Sequence, residues 1–127
     1  MPSLSAYRPQ LLAILRIMTA LLFLAHGTAK LLGFPDIGMS VPLVSLFGLA
    51  GVLEIVGGVL LAVGLFTRPV AFILAGEMAV AYFMAHAPQG FFPMINQGES
   101  AVLFCFIFLY FVASGPGAWS FDNRAAA

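Results

Sequence analysis

The chain has 127 residues, of which 62% are hydrophobic and only 8% are charged, and its formal net charge is zero. Soluble domains carry about 25% charged residues, so this chain has too little polar surface for water, and we expect it to lie in a lipid bilayer. It has no basic run, which argues against a nucleic-acid partner, and its single cysteine, Cys105, excludes an intramolecular disulfide.

Four apolar segments are long enough to cross a bilayer, which takes about 17 to 25 residues of helix. Because backbone groups in lipid must form hydrogen bonds within their own segment, the sequence predicts helices rather than strands. In chain order, the predicted spans cover residues 11–32, 43–66, 69–87 and 98–114 of a single domain, residues 1–127. The predicted fold is therefore an all-α, integral-membrane four-helix bundle.

Turn-forming sequences separate the spans and fix their relative direction. The loop after the first span contains GFPDIG, residues 33–38, and the FTRP turn at residues 66–69 is so short that the second and third spans must be antiparallel neighbours. PQGFFPMIN, residues 88–96, precedes the fourth span, and GPG, residues 115–117, ends it.

Basic residues near the span ends predict the orientation of the chain. Arg8, Arg16, Arg68 and Arg124 fall on one side of the predicted bundle, and Lys30 falls on the other. Since positive charge accumulates on the cytoplasmic side, we expect both termini to be cytoplasmic. Arg16 lies about four residues inside the first span, and we expect it to snorkel to the near surface.

Six ionisable side chains within or beside the spans are the candidate ligand or proton site, because such groups are costly in lipid and are usually functional. They are His26, Lys30, Glu54, Glu77, His86 and Glu99. At about 1.5 Å per residue, most of them fall in the outer half or at the midplane of the bilayer.

Helical periodicity groups some of these residues into stripes. Phe23, His26 and Lys30 share one stripe of the first span, and Glu99 shares a stripe of the fourth span with Phe106. Glu77 and His86 are nine residues apart, so they point in opposite directions unless the third helix ends or kinks near residue 84.

We expect His26 and Lys30 to face inward, toward some of the three glutamates, since an unpaired carboxylate in lipid is unfavourable. Three carboxyls stand against one lysine and two histidines, and because the histidines titrate, there is more acid than fixed base, so at least one glutamate should be neutral. A neutral carboxyl can donate a hydrogen bond to a carbonyl or relay a proton. The alternative stays open that each glutamate only fixes the packing of neighbouring helices.

The sequence lacks the motifs of several other kinds of site. It has no Glu-x-x-His pair of the kind found in di-iron bundles, no zinc motif and no Gly-rich phosphate loop. Haem held by His26 and His86 is disfavoured, because two histidines are the minimum for such a site and their expected depths differ. We expect no metal site, and no redox centre within the chain itself.

Five motifs cover the chain from about Leu15 to Asp122: FLAHGTAKLLGF, LEIVGGVLLAVGLFTRPVA, EMAVAYFMAHAPQGFFP, GES and GPGAWSFD. Together they resemble the DoxX family of small bacterial membrane proteins. The resemblance implies a four-helix bundle in the bacterial cytoplasmic membrane. It also gives weight to a set of residues, which comprises His26, Gly27, Lys30, Glu54, Gly58, Thr67, Arg68, Glu77, His86 and Glu99.

The resemblance also implies a function, because relatives in that family include a membrane subunit of a thiosulfate:quinone oxidoreductase. On this hypothesis the chain is a quinone-linked subunit that needs a redox partner and is not catalytic alone. His26, Lys30 and a protonated Glu54 or Glu99 would donate hydrogen bonds to the quinone. Phe23 and Phe106 would form apolar walls around it.

Two other functions remain open from the sequence. The chain could be a non-enzymatic assembly factor or scaffold, in which the polar groups are structural or recognise a peptide. It could also be a small proton-coupled carrier, although so short a chain would need to form a homo-oligomer to enclose a pathway.

Overall fold

The computed structural model describes residues 3–36, 38 and 42–126, and every regular element in these ranges is helical. Ile37, within the predicted first loop, lies outside the described residues. The elements are a 3-10 turn (Leu4–Tyr7), α1 (Arg8–Leu32), α2 (Leu46–Val63), α3 (Thr67–Ala81), a π turn (Tyr82–His86), a second 3-10 turn (Ala87–Gln89), α4 (Pro93–Asn96), α5 (Glu99–Ser114) and α6 (Phe121–Ala126). The predicted all-α class is confirmed.

Three helical stretches are long and apolar enough to cross a membrane, namely Leu4–Leu32, Leu46–Val63 and Thr67–Gln89. The fourth, α5, is apolar but has 16 residues, so it rises only about 24 Å. That is somewhat less than the hydrocarbon core of a typical bilayer, which is about 30 Å thick.

The ends of the helices follow ordinary capping chemistry. The Ser45 hydroxyl accepts a hydrogen bond from the Gly48 amide at 3.0 Å and so begins α2. Gly33 and Gly64 follow α1 and α2 with φ values of 70° and 71°, a left-handed conformation that glycine adopts without strain.

The bundle consists of two closely packed pairs, α1 with α2 and α3 with α5, and α2 also packs on α3. Glycines allow α1 and α2 to approach each other. A Cβ atom at Gly27 would lie 2.9 Å from the Cβ of Glu54 and 2.9 Å from the carbonyl oxygen of Gly51. By contrast, α1 touches α5 over only a short stretch.

Aromatic side chains form the centre of the core. Phe23 of α1 meets Phe104 and Phe108 of α5 edge-on, with ring centroids 5.3 and 4.9 Å apart. Large apolar side chains also cover the outside of the bundle, for example Leu22, Val56 and Phe72. Helices that are apolar all round in this way suit a lipid environment.

The structure corrects the expected orientation of α5. Phe106 was expected to line an internal site, but it is 65% exposed and shares an outward face with Leu103 and Tyr110. The buried face of α5 instead carries Ala101, Phe104, Phe108 and Phe111. Since both faces are apolar and lipid accepts apolar groups as readily as the core does, the periodicity of α5 did not identify its inner face.

The start of α1, the segment after α5 and the turn between α2 and α3 lie at the same end of the bundle. The Ala118 amide donates to the Pro9 carbonyl at 2.9 Å, and the Asp122 amide donates to the Gly64 carbonyl at 2.9 Å. We call this the arginine end, because it carries Arg8, Arg16, Arg68 and Arg124.

Candidate functional site

Lys30 and Glu54 form a closed ion pair between α1 and α2. The Lys30 Nζ lies 2.7 Å from each of the two oxygens of the Glu54 carboxylate. The Glu54 side chain is 1% exposed, whereas that of Lys30 is 25% exposed. The pair therefore reaches from the interior of the bundle to its surface.

The sequence around Lys30 explains how the pair forms. Gly27 lies three residues before Lys30, on the same face of α1, and its missing side chain allows the helix carrying Glu54 to come close. An ammonium group in the last turn of α1 also interacts favourably with the carbonyl end of the helix dipole.

Glu77 of α3 brings a second carboxyl to this pair. It interacts electrostatically with both Glu54 and Lys30. Both of its carboxylate oxygens are buried, and neither receives a hydrogen bond from an N–H or hydroxyl group within the described part of the chain; the carboxyl instead faces that of Glu54, with which it can share a proton. We call Lys30, Glu54 and Glu77 the Lys30 cluster; it holds two carboxyls and one amine.

His26 lies beside the Lys30 cluster at the surface of the bundle. It is exposed rather than turned inward as the sequence predicts, because its ring packs edge-on against Phe104 of α5, with centroids 5.7 Å apart. The imidazole also interacts electrostatically with Glu54 and Lys30. His26 therefore lies between the buried cluster and the surface that α1 and α5 form.

His86 belongs to a different network, at the end opposite the arginine end. Its Nδ1 lies 3.1 Å from the backbone carbonyl oxygen of Asn96. The fully buried Asn96 side chain donates to the Tyr82 hydroxyl at 3.1 Å and to the Gly90 carbonyl at 2.8 Å. In the ranges that the structure covers, no hydrogen bond or ion pair links His86 to the Lys30 cluster.

The spacing of Glu77 and His86 accounts for this separation, because nine residues of straight helix put them on opposite faces. The α-helical hydrogen bonding of α3 ends at Ala81, and the π turn Tyr82–His86 contains residue 84, where a kink was the condition for a shared site, but the turn leaves His86 bonded to Asn96. Sequence reasoning missed Asn96. Its only signal was a lone amide in the apolar context PMIN, residues 93–96.

The remaining predicted residues lie outside the Lys30 cluster. Glu99 is the first residue of α5 and is exposed, a position where a carboxylate interacts well with the amide end of a helix. Phe23 is buried in the aromatic core, and Phe106 is on the outer face. The two phenylalanines therefore do not form the walls of one site.

A second polar site, at the arginine end, centres on Arg16. Its side chain is completely buried rather than extended to the surface as expected. Its guanidinium donates to the carbonyls of Pro116, Ala118 (3.1 Å) and Trp119 (2.9 Å). The C-terminal segment thus folds over Arg16 and supplies the acceptors that bulk water would otherwise provide.

Asp122 and Arg68 complete this second site. The Asp122 carboxylate accepts hydrogen bonds from the amides of Phe66 (2.7 Å) and Thr67 (2.9 Å). Arg68 donates to the last carbonyls of α5, those of Val112 at 2.8 Å and Ala113 at 2.7 Å.

The electrostatics at Asp122 follow from these contacts. Partial burial acts to raise the pKa of Asp122, but the hydrogen bonds from Thr67 and Phe66, together with the positive charge of Arg16, outweigh burial and lower the pKa below its ordinary value.

No group of three or more His, Cys, Asp or Glu residues is placed to hold a metal ion in the parts of the chain that the structure describes. The Lys30 cluster can instead hold protons, since its two carboxyls and one amine all exchange them.

Comparison with known proteins identifies the family. The family model DoxX matches residues 11–87. An uncharacterized protein of Haemophilus influenzae is 51% identical over 98% of this chain and 97% of its own length. The Escherichia coli inner membrane protein YphA is 32% identical, over 94% of this chain and 93% of its own length.

An uncharacterized membrane protein of Mycobacterium tuberculosis is 30% identical, over 95% of this chain and 85% of its own length. No solved structure matches the chain. The family model covers more than half of the chain, its matched region includes Lys30, Glu54 and Glu77, and the relatives align over nearly the whole length. The protein is therefore a member of the DoxX family of membrane proteins.

Proposed function

We propose that this protein is the membrane subunit of a quinone-linked redox complex in the bacterial inner membrane, with the Lys30 cluster and His26 as its proton-handling site. Reduction of a quinone to a quinol takes up two electrons and two protons. The electrons come from a partner redox protein, and this subunit supplies a place for the quinone and a store of protons.

The observation that carries the proposal is the buried carboxyl of Glu77, which has no N–H or hydroxyl donor among the described residues and faces Glu54 of the closed Lys30–Glu54 pair. With Lys30 charged, a single proton on the two carboxyls makes the cluster neutral, and a neutral cluster suits an apolar surrounding. Because no N–H or hydroxyl donor among the described residues reaches Glu77, whereas Lys30 binds both oxygens of Glu54, Glu77 is the group we assign to carry that exchangeable proton, which it can share with Glu54.

His26 provides the connection from this proton to a ligand in the lipid. It is exposed at the side of the bundle, where its imidazole can donate to the carbonyl of a quinone ring and accept a proton from inside. The ring of Phe104, edge-on to His26 at 5.7 Å, adds an aromatic surface. The headgroup would thus dock at the side of the bundle rather than between Phe23 and Phe106.

The comparisons support the location of the protein in the inner membrane, and the redox activity is tested by experiment below. The similarity to a relative named as an inner membrane protein supports placement in the bacterial inner membrane. The proposed orientation puts the arginine end in the cytoplasm, because arginines accumulate there.

The test is mass spectrometry of organic extracts from the full-length protein purified in nanodiscs made with quinone-containing lipid. We expect the wild type to retain quinone above the lipid background and His26→Ala to lose it. Glu99→Gln is the matched control, since it changes a carboxyl that lies outside the Lys30 cluster, and it should retain quinone like the wild type.

An assembly factor is the second candidate, favoured by the closed Lys30–Glu54 pair, which by itself joins α1 to α2. If the wild type carries only background quinone, the redox proposal fails. On the assembly-factor hypothesis, His26→Ala should change the abundance of a cross-linked partner protein, and Glu99→Gln should not.

A further inference from the structure

A groove of about 630 Å³ opens at the arginine end, between the first turns of α1 and the last turns of α5. Its walls combine an apolar strip with a basic mouth and two hydroxyls. The lining includes Arg8, Leu11, Leu12, Leu15, Tyr110 and Ser114. From Arg8 to Leu15 the groove extends along α1 for about 10 Å, which is the depth of a headgroup and the first carbons of an acyl chain.

The charge at this end is strongly one-sided. Of the five Lys and Arg residues of the chain, the four arginines lie here, and of the five Asp and Glu residues Asp122 alone does. The Asp122 carboxylate already accepts hydrogen bonds from the backbone amides of Phe66 and Thr67. The arginine end therefore has an excess of positive charge in the region where lipid headgroups lie.

The arginines differ in what they bind. Arg16 and Arg68 donate to backbone carbonyls of the C-terminal segment and of α5. Arg8 is exposed, and across residues 3–36, 38 and 42–126 the one ion pair is Lys30–Glu54. The Arg8 guanidinium thus lines the groove without an acidic partner.

We propose that this groove binds an anionic phospholipid from the bilayer, with the Arg8 guanidinium on the phosphate and an acyl chain along the leucines. Guanidinium groups match the geometry of phosphate oxygens, and basic grooves between membrane helices favour anionic headgroups. The leucine strip selects a lipid over a free phosphate ion, since a free ion gains nothing from an apolar wall. The short contact between α1 and α5 leaves room for the chain to enter from the side.

The experiment measures lipid retention by native mass spectrometry of the full-length protein titrated with phosphatidylglycerol or phosphatidylcholine. The wild type should retain phosphatidylglycerol in preference to phosphatidylcholine. Arg8→Gln should reduce that preference about fivefold, the effect of one basic residue near a headgroup. Arg124→Gln is the matched control, because it removes the same charge from the same end but lies outside this groove.

A second pair of variants tests the shape of the groove without changing charge. Leu15→Trp fills the apolar strip and should lower retention of phosphatidylglycerol. Leu22→Trp, on an exposed part of α1 two turns further along, should not. Equal retention of the two lipids by the wild type would overturn the proposal. Equal losses in Arg8→Gln and Arg124→Gln would overturn it in favour of diffuse attraction by the whole end.

Discussion

Lys30 and Glu54 are the residues on which the interior of this protein depends most directly, because each neutralises a charge that would otherwise lie in an apolar environment. The Glu54 side chain is 1% exposed, and Lys30 reaches both of its oxygens at 2.7 Å. Removing one member of such a pair is usually much worse than removing both.

We therefore predict that Lys30→Met lowers the free energy of unfolding by about 3 kcal/mol, since Glu54 and Glu77 then share a buried site with no cation. The double variant Lys30→Met/Glu54→Leu should recover most of that loss. Unfolding in mixed detergent micelles measures both. A double variant less stable than the single one would show that the pair is not the main stabilising contact here.

Asp122 gives a pH-dependence whose sign follows from its contacts. Its pKa in the folded protein lies below the ordinary value of 3.8, so between these two values the unfolded chain binds more protons than the folded one. The contribution of Asp122 to stability is fully present above the ordinary value and is lost as pH falls through the folded pKa.

We predict that Asp122→Asn, which keeps one acceptor for the amides of Phe66 and Thr67, removes this part of the acid sensitivity. The measurement is the thermal midpoint of both proteins from neutral pH down to the acid limit of the detergent. The wild type should be the more stable protein at neutral pH, and the difference should shrink below the ordinary aspartate pKa. A constant difference would contradict the assignment.

At the scale of helices, α1 and α2 owe their close approach to glycine. A Cβ atom at Gly27 would meet the Cβ of Glu54, the Gly51 carbonyl oxygen and the Ile55 side chain, each at 2.9 Å. Two of these contacts involve the backbone or the first side-chain atom, which cannot move without shifting a whole helix. Gly76 of α3, by contrast, has open space where its Cβ would be.

These two glycines make a matched pair of variants. Gly27→Ala should destabilise the protein by about 1–3 kcal/mol, the usual range for overpacking. Gly76→Ala should be neutral, or stabilise it by up to about 1 kcal/mol, because alanine favours a helix. Thermal melts in one detergent compare them. Equal effects of the two substitutions would mean that α1 and α2 can separate without penalty.

The same helices show what the sequence could and could not predict. Hydropathy located the helices, and the cost of a charge in lipid predicted that Lys30 would face a glutamate, but not which of the three it would be. The inner face of α5 could not be predicted, since Phe104 and Phe106 are equally apolar and lipid and core accept both. The burial of Arg16 depends on contacts with Pro116 and Trp119, about a hundred residues away, which no local pattern reveals.

For the whole molecule, the arginine end unites parts of the chain that are far apart in sequence. The C-terminal segment contacts the start of α1 through Pro9 and the turn after α2 through Gly64, while Arg68 holds the end of α5. We therefore predict that both terminal segments lie on one side of the membrane. The four arginines at that end predict that this side is the cytoplasm.

Cysteine labelling in spheroplasts tests separately whether the termini share one side of the membrane and whether that side is the cytoplasm. In a Cys105→Ala background, Ala6→Cys and Asn123→Cys mark the two terminal segments, and Met94→Cys, at an 81% exposed position in α4, marks the opposite end. We expect an impermeant maleimide to label Met94→Cys in intact spheroplasts and the other two only after lysis. Labelling of the termini from opposite sides would contradict the contacts of the C-terminal segment. Labelling of both termini in intact spheroplasts would agree with those contacts but contradict the predicted orientation. The position of the arginines would then be explained by the lipid groove and the backbone carbonyls alone.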